Sequence, residues 1–352
     1  MKGFFRYLAA KHFRWRYRVS RWYGTLLDLR ETRSPDVDLA FVVLEPQRGW
    51  ILEGIAKEIA RYFRGTYRFV YSLESLPNAK AYFIVHYGIM GFAYKRNPLL
   101  WQRKVFVWYT HPRDDLGISD QEIHYLLNHA ELVFCSFRNF VRLLREKGIA
   151  PERTACILGG ADAAMFLPRA RGNGKVGFCT AFYARKRPDR ILEIVRRMPH
   201  RQFLLVGRKW DQYERFAELR AMPNFEYVET TYDQYPRLYR QMDVFVSPSS
   251  LEGGPIPLIE AMMSNVVPVA SKTGFAPDVI QHGENGFLFE TDAPVETVCD
   301  LIEQAMLLPG DIRATVLDCS WEAFSGKVLN LMGFGPENPE ASGTRRAEGS
   351  PQ

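Results

Sequence analysis

The feature that most constrains this chain is a pattern that occurs twice: a run of four to seven residues apolar on both faces, a polar turn, then a stretch with helical spacing. In the first pass the apolar runs fall at 39–44, 67–71, 81–86, 104–109 and 132–136, with helical patterns at 50–63, 120–129 and 137–147. After the Gly159-Gly160 pair the pattern begins again. Runs at 175–181, 202–206, 225–228, 244–247, 266–270 and 286–289 then alternate with helical patterns at 187–198, 232–241, 255–264, 276–281 and 295–308. A strand apolar on both faces has to be covered on both faces, and an intervening helix returns the chain so that the next strand enters parallel to the last. The pattern therefore predicts two doubly wound α/β domains facing a cleft. The expected boundaries are a basic arm at 1–34, a first domain at 35–158, a second at 159–315, a closing helix at 316–334 and a disordered tail at 335–352, rich in Gly, Pro, Glu and Ser. Ligands of such sheets bind beyond the carboxyl ends of the strands, so the residues just after each run carry the chemical information.

Charge is unevenly placed. The net charge is +6, yet residues 1–33 alone hold nine basic and two acidic residues, which leaves the remainder close to neutral and disfavours a general nucleic-acid surface. With residues 1–26 helical, Phe4, Phe5, Leu8, His12, Trp15, Val19, Trp22 and Leu26 share a face at three- and four-residue steps, flanked by most of the cations. Such a helix suits an anionic membrane surface. It equally suits packing of that face on the first domain, and base stacking on RNA is a third, weaker reading. No apolar run approaches the roughly 18 residues of a spanning helix, and Arg6, Lys11 and Arg14 interrupt any signal-peptide core. A cytoplasmic protein, peripheral on the cytoplasmic face of a membrane, is the expectation. Five widely spaced cysteines without a CxxC pair fit reduced core thiols.

Among the loops, the segment from Ser247 to Glu260 is the most informative. An apolar run ends at Ser247, a loop with Gly253 and Gly254 follows, and a helical pattern opens at Pro255. Glu252 and Glu260, with seven residues between them, can both address one ligand lying across a helix N-terminus, where free N–H groups favour a diphosphate. A carboxylate accepts several hydrogen bonds at once and so suits paired sugar hydroxyls. Alternatively, Glu252 is a surface loop residue and Glu260 a helix-face charge. The basic triplet Arg185-Lys186-Arg187 follows the first run of the second domain, either as a solvated face or as cations for an anionic leaving group. His86 and His111 follow apolar runs of the first domain, and Gly49 follows its first run. The Asp36-Val37-Asp38 triplet has a metal-binding form but precedes its strand, and His124 and His129 are five apart on a helix, so neither predicts a metal site.

The stretch EGGPIPLIEAM, followed by VVPVASKTGFAPDVIQHGENGFLF, resembles the donor-binding half of the family-4-type retaining glycosyltransferases of the GT-B fold. The likeness spans about residues 150–310 well and the first domain loosely. It implies a nucleotide diphosphate sugar as donor substrate and no cofactor; the absence of an acidic cluster with metal-ligand spacing leads to the expectation of transfer without a divalent metal, and the basic arm to that of a glycan or lipid-linked saccharide as acceptor. The likeness implies that Glu252 holds hydroxyls of the transferred sugar, that Glu260 holds the ribose, and that Gly253, Gly254, Thr273 and Gly274 line the donor. Lys186, with Arg185, would stabilise the departing diphosphate. The family's usual arginine position is Thr180 here, and the glycines it often places at 255 and 275 are Pro255 and Phe275. Tyr109-Thr-His-Pro112 resembles the family's histidine segment and implies His111 on the donor sugar, with Gly49 near the diphosphate. Base choice is expected from Arg208 and Tyr232. The alternative to an enzyme is a sugar-nucleotide-binding subunit or scaffold that has lost transfer, for which Thr180 is the motive.

Overall fold

The computed structural model describes residues 2–335 except 32, 50, 111–116 and 173, with the backbone alone for residues 2–11 and 47. The chain forms two compact units. One comprises the chain up to Ile157 together with the chain from Ser325 on, and the other comprises Leu158–Phe324.

The first unit contains α1 (Lys2–Arg30), β1 (Val37–Val42), α2 (Ile51–Tyr62), β2 (Tyr67–Val70), β3 (Ala79–Ile84), α3 (Met90–Arg96), β4 (Lys104–Tyr109), α4 (Asp120–Leu127), β5 (Leu132–Cys135), α5 (Arg138–Glu146) and β6 (Thr154–Cys156). Its six strands are all parallel, in the order β2-β1-β3-β4-β5-β6. The apolar runs read from the sequence are these strands, shifted by at most two residues; α3 and β6 are additional.

The second unit contains β7 (Lys175–Cys179), α6 (Pro188–Arg197), β8 (Phe203–Val206), α7 (Phe216–Arg220), β9 (Phe225–Val228), α8 (Tyr235–Tyr239), β10 (Met242–Ser247), α9 (Ile256–Met263), β11 (Val267–Ser271), α10 (Ala276–Val279), β12 (Phe287–Phe289) and α11 (Val295–Leu307). The strand order is β12-β11-β10-β7-β8-β9, again all parallel. This is the doubly wound order, in which the connections run in opposite directions on either side of β7 and β10 and open a crevice at the carboxyl ends of those two strands. The central strands are buried on both faces, as their sequences require. A last helix, α12 (Trp321–Leu331), spans the residue at which the chain passes from the second unit to the first. In the first unit Ser325 Oγ donates to the Glu58 carbonyl, and Phe334 packs edge-on against Phe63. Beyond Gly335 the tail expected from the sequence lies outside the described residues.

The N-terminal segment is not detached from the first unit. Phe13 and Tyr17 are buried among Tyr125 and Trp101, and the Tyr17 hydroxyl donates to the buried Glu122 carboxylate at 2.7 Å. Gly24 lets the helix backbone pass close to Pro98, where a Cβ would meet the Pro98 carbonyl oxygen at 2.2 Å. Trp101 Nε1 donates to Ser20 Oγ, Gln102 to Thr25, and Arg103 pairs with Asp28. The packed face is therefore Phe13, Tyr17, Ser20 and Gly24. The apolar face read from the sequence points the other way: Trp15 is 66% exposed, Trp22 is 65% exposed, and Val19 is exposed between them. Self-packing uses one face of α1 and leaves the aromatic, arginine-flanked face to solvent. Among the described residues no helix is long and apolar enough to cross a membrane.

Candidate active site

The crevice of the second sheet is flanked by the segments leaving β7 and β10, and these carry the two constellations singled out in the sequence. After β7 the chain makes a short turn over Ala184–Lys186 and enters α6 at Pro188, a residue suited to the first helical position. Arg187 joins the two in a left-handed conformation (φ 56°), which a side chain adopts at a cost of about 1–2 kcal/mol. That bend sends Arg187 away, to the Thr291 carbonyl, and turns Arg185 and Lys186 toward the loop that follows β10.

Glu252 sits in that loop and is 5% exposed. Its Oε1 accepts from Lys186 Nζ, and its Oε2 accepts from Arg185 Nη1 at 3.0 Å. Arg185 also donates to the Leu251 carbonyl at 2.9 Å, and its own carbonyl accepts from Ser250 N, which ties the two loops together. Burial alone would raise the Glu252 carboxyl; the Lys186 charge and hydrogen bond, with Ser249 and Arg185, outweigh it and hold the group below its ordinary value.

Glu260 lies in α9 and is 2% exposed. Among the described residues, neither of its oxygens meets a cation. Tyr232 donates to Oε1 at 2.6 Å and the buried Tyr239 donates to Oε2 at 3.0 Å. Burial drives this carboxyl up to about 7, and the two phenol hydrogen bonds pull against that rise without cancelling it. One glutamate is thus a firmly ionised group between two cations, and the other sits at the edge of protonation.

Beside them runs the turn after β11. Gly274 has φ +55°, and a Cβ there would meet the Gly253 carbonyl oxygen at 2.7 Å and Glu252 Cβ at 2.9 Å. Only glycine meets both demands. Ser271 Oγ donates to the Ser249 carbonyl at 2.6 Å and bonds Thr273 Oγ1, so the Thr273-Gly274 turn is laced to the Glu252 loop. Gly253 faces open space on the side where a Cβ would stand, and Gly254 follows it, half-buried.

The structure thus brings together Arg185, Lys186, Glu252, Gly253, Thr273 and Gly274, and separately Tyr232 with Glu260. Arg208 follows β8; its carbonyl accepts from Phe182 N and its exposed side chain opposes the burial that pushes the Tyr235 phenol up to about 12. Thr180, at the position where an arginine is expected, turns its hydroxyl to the Ala181 carbonyl, and its own carbonyl accepts from Trp210 Nε1. Tyr239 and Ser249 were not singled out in the sequence. Tyr239 could have been found, because its seven-residue spacing from Tyr232 places both on one face of a helical segment; a lone serine carries no such signal.

In the first unit, His111 lies outside the described residues. His86 is buried at the end of β3; its Nδ1 accepts from Gly88 N, which leaves Nε2 to donate to Thr110 Oγ1 at 3.3 Å. It is a capping residue with both ring nitrogens engaged. Gly49 follows β1 with φ +73°, but its N–H is taken by Glu53 Oε2 at 2.5 Å. Burial opposes ionisation of Glu53, yet bonds from Tyr71, Gly49 and Lys57 bring it down to about 2, so a carboxylate stands on the amide expected for a diphosphate. Among the described residues no group of three His, Cys, Asp or Glu side chains is placed to hold a metal ion.

Residues 167–328 match the family described as Glycosyl transferases group 1. No curated protein matches the chain in sequence. Among solved structures, HepE from Anabaena in complex with UDP is similar over 84% of this chain and 99% of that one, at 14% identity and a TM-score of 0.67. The apo form of the lipopolysaccharide outer core galactosyltransferase WaaB is similar over the same shares, at 13% identity and a TM-score of 0.67. Sucrose-phosphate synthase from Thermosynechococcus elongatus is similar over 86% of both chains, at 17% identity and a TM-score of 0.62. At such identities the likeness fixes the fold: it is GT-B.

Proposed function

We propose that this chain, whose second unit carries a group 1 glycosyl transferase domain in a GT-B fold, moves a sugar from a nucleotide diphosphate sugar to a glycan or lipid-linked saccharide, with retention of anomeric configuration. The observation that carries the reading is the pair of buried glutamates at the sheet crevice, one bridged to two cations and one bonded, among the described residues, by two phenols and no cation. A buried carboxylate with unspent acceptor capacity suits vicinal hydroxyls, and two such groups in one crevice match a ligand with a sugar at each end of a diphosphate. Glu252 takes the transferred sugar and Glu260 the ribose.

As the glycosidic bond breaks, charge collects on the diphosphate. Lys186 and Arg185 stabilise that charge more in the transition state than in the ground state, the role a divalent ion would otherwise fill. The acceptor's own hydroxyl is the nucleophile, and Glu252, already engaged with two cations, is not a covalent one. That several solved neighbours are complexes with UDP or UDP-glucose supports a nucleotide sugar as donor. The outward face of α1, with Trp15, Val19 and Trp22 among arginines, supports docking on an anionic membrane surface at which a lipid-linked acceptor is met.

A thermal-shift panel of UDP, GDP and ADP sugars tests the donor class, because a ligand at a hundred times its Kd adds about 2.7 kcal/mol of stability. Transfer assayed in EDTA tests the metal: undiminished turnover is expected, and activity lost in EDTA and restored by manganese or magnesium refutes the cation mechanism. Lys186→Ala is expected to lower turnover more than it weakens donor binding. Donor binding without turnover on any acceptor would instead favour a non-catalytic binding subunit, the reading that Thr180 invites.

A further inference from the structure

The cations assigned to the diphosphate are not waiting for it. Lys186 is only 16% exposed at its side chain and is spent on Glu252, as is one arm of Arg185. Among the described residues no other acid lies within ion-pair distance of either cation, and no third cation reaches Glu252. The three side chains form a closed group with one surplus positive charge. A nucleoside diphosphate arriving alone meets a field half cancelled by Glu252. To take the cations fully it would strip a buried carboxylate of its partners, which is among the costliest changes a buried ion pair can undergo.

Resting on the glycosyltransferase reading above, we propose that the donor site works by exchange of partners. Hydroxyls of the transferred sugar take the oxygens of Glu252, and this releases Lys186 and Arg185 to the diphosphate. Sugar and diphosphate thereby bind with positive coupling through Glu252. The exchange also runs backward. Once the sugar has moved to the acceptor, Glu252 loses its hydroxyl partners, recaptures Lys186 and Arg185, and so weakens the hold on the nucleoside diphosphate that must leave. Product release is built into the same three residues that bind the donor. The neighbouring geometry favours this exchange over a larger rearrangement: the Arg185 carbonyl is fixed by Ser250, and the Glu252 loop is fixed through Ser249, Ser271 and Gly274, so only side-chain ends have to move.

Coupling of this kind is reciprocal and typically amounts to a 5- to 150-fold change in affinity. Calorimetry on the full chain reads it with UDP, GDP and ADP, each alone, as its glucose conjugate, and together with free glucose, galactose, mannose or N-acetylglucosamine. In the parent, at least one free sugar is expected to raise nucleotide affinity by about 5-fold or more. In Glu252→Gln, which keeps the shape and removes the charge, the nucleotide alone is expected to bind about 10-fold tighter, its sugar conjugate more weakly, and the effect of free sugar to vanish. Opposite signs for nucleotide and conjugate are the signature. Loss of affinity for both, or no effect of any free sugar on the parent, overturns the exchange while leaving the glycosyltransferase reading in place. Failure of the parent to bind any of the nucleotides or conjugates overturns both. If Glu252→Gln does not fold, the free-sugar titration of the parent decides by itself.

Discussion

Glu260 is buried with its carboxyl held near pH 7, whereas the same group titrates near 4.5 when exposed. Between those two values the folded chain binds a proton that the unfolded chain has released, so this residue's contribution to stability declines as pH rises from about 4.5 to about 7. The cost of keeping it ionised above that window is on the order of 3 kcal/mol. Glu260→Gln is therefore expected to gain on the parent in melting temperature between pH 5 and pH 8; a difference that stays flat with pH would show that the group is already ionised at pH 5. Nucleotide affinity in the parent should rise over the same range, since the carboxylate accepts ribose hydroxyls better than the acid does. At Gly274, alanine is expected to cost about 1–3 kcal/mol, because positive φ and the nearby Gly253 carbonyl oxygen both exclude a Cβ; an unshifted urea midpoint would contradict that. The glutamate pair and the basic triplet were legible in the sequence because their spacing relative to apolar runs is local information. That Tyr239 meets Glu260 was not, because the spacing to Tyr232 marks a shared face while the partner across it lies on another helix, 21 residues on. The Glu53 carboxylate on the Gly49 amide, four residues apart in one helix start, is local and was legible but went unread.

At the level of elements, β strands buried on both faces announce themselves in sequence, and those predicted were found within two residues of their places. What escaped was short or uniform. The three residues of β6 are too few to read, and α3 is apolar on several sides, so no periodicity marks it as a helix. The helix α1 was legible as amphipathic, but its sequence offers two apolar faces, and only the structure distinguishes the one that packs. Two expectations follow from that division of labour. Trp15→Ala with Trp22→Ala should reduce sedimentation with vesicles containing phosphatidylserine and leave the melting temperature nearly unchanged, and added salt should weaken the parent's association. Tyr17→Phe should do the reverse, lowering stability by about 1–3 kcal/mol through the bond lost to buried Glu122 while vesicle binding persists. If the tryptophan pair melts early or the tyrosine variant leaves the vesicles, the two faces have been assigned the wrong way round.

For the molecule as a whole, the repeated pattern suggests a division near Gly159; the two compact units are the chain up to Ile157 with the chain from Ser325 on, and Leu158–Phe324. The sequence reading ended the first domain near Gly159 for good. In the structure the chain from Ser325 on returns to the first unit, a long-range association that no local pattern encodes. A chain stopped after Leu331 loses Met332 and Phe334 and is expected to exchange amide hydrogens faster in α2 than in the helices of the second unit; equal protection in both would mean that the returning segment contributes nothing. The same discontinuity sets a clock. On the ribosome every strand of the first sheet emerges early, but Phe63 and the Glu58 carbonyl stay uncovered until the entire second unit has been translated. The first unit is begun before the second and completed after it, so its apolar surface around Phe63 stays open to other chains throughout the synthesis of the second.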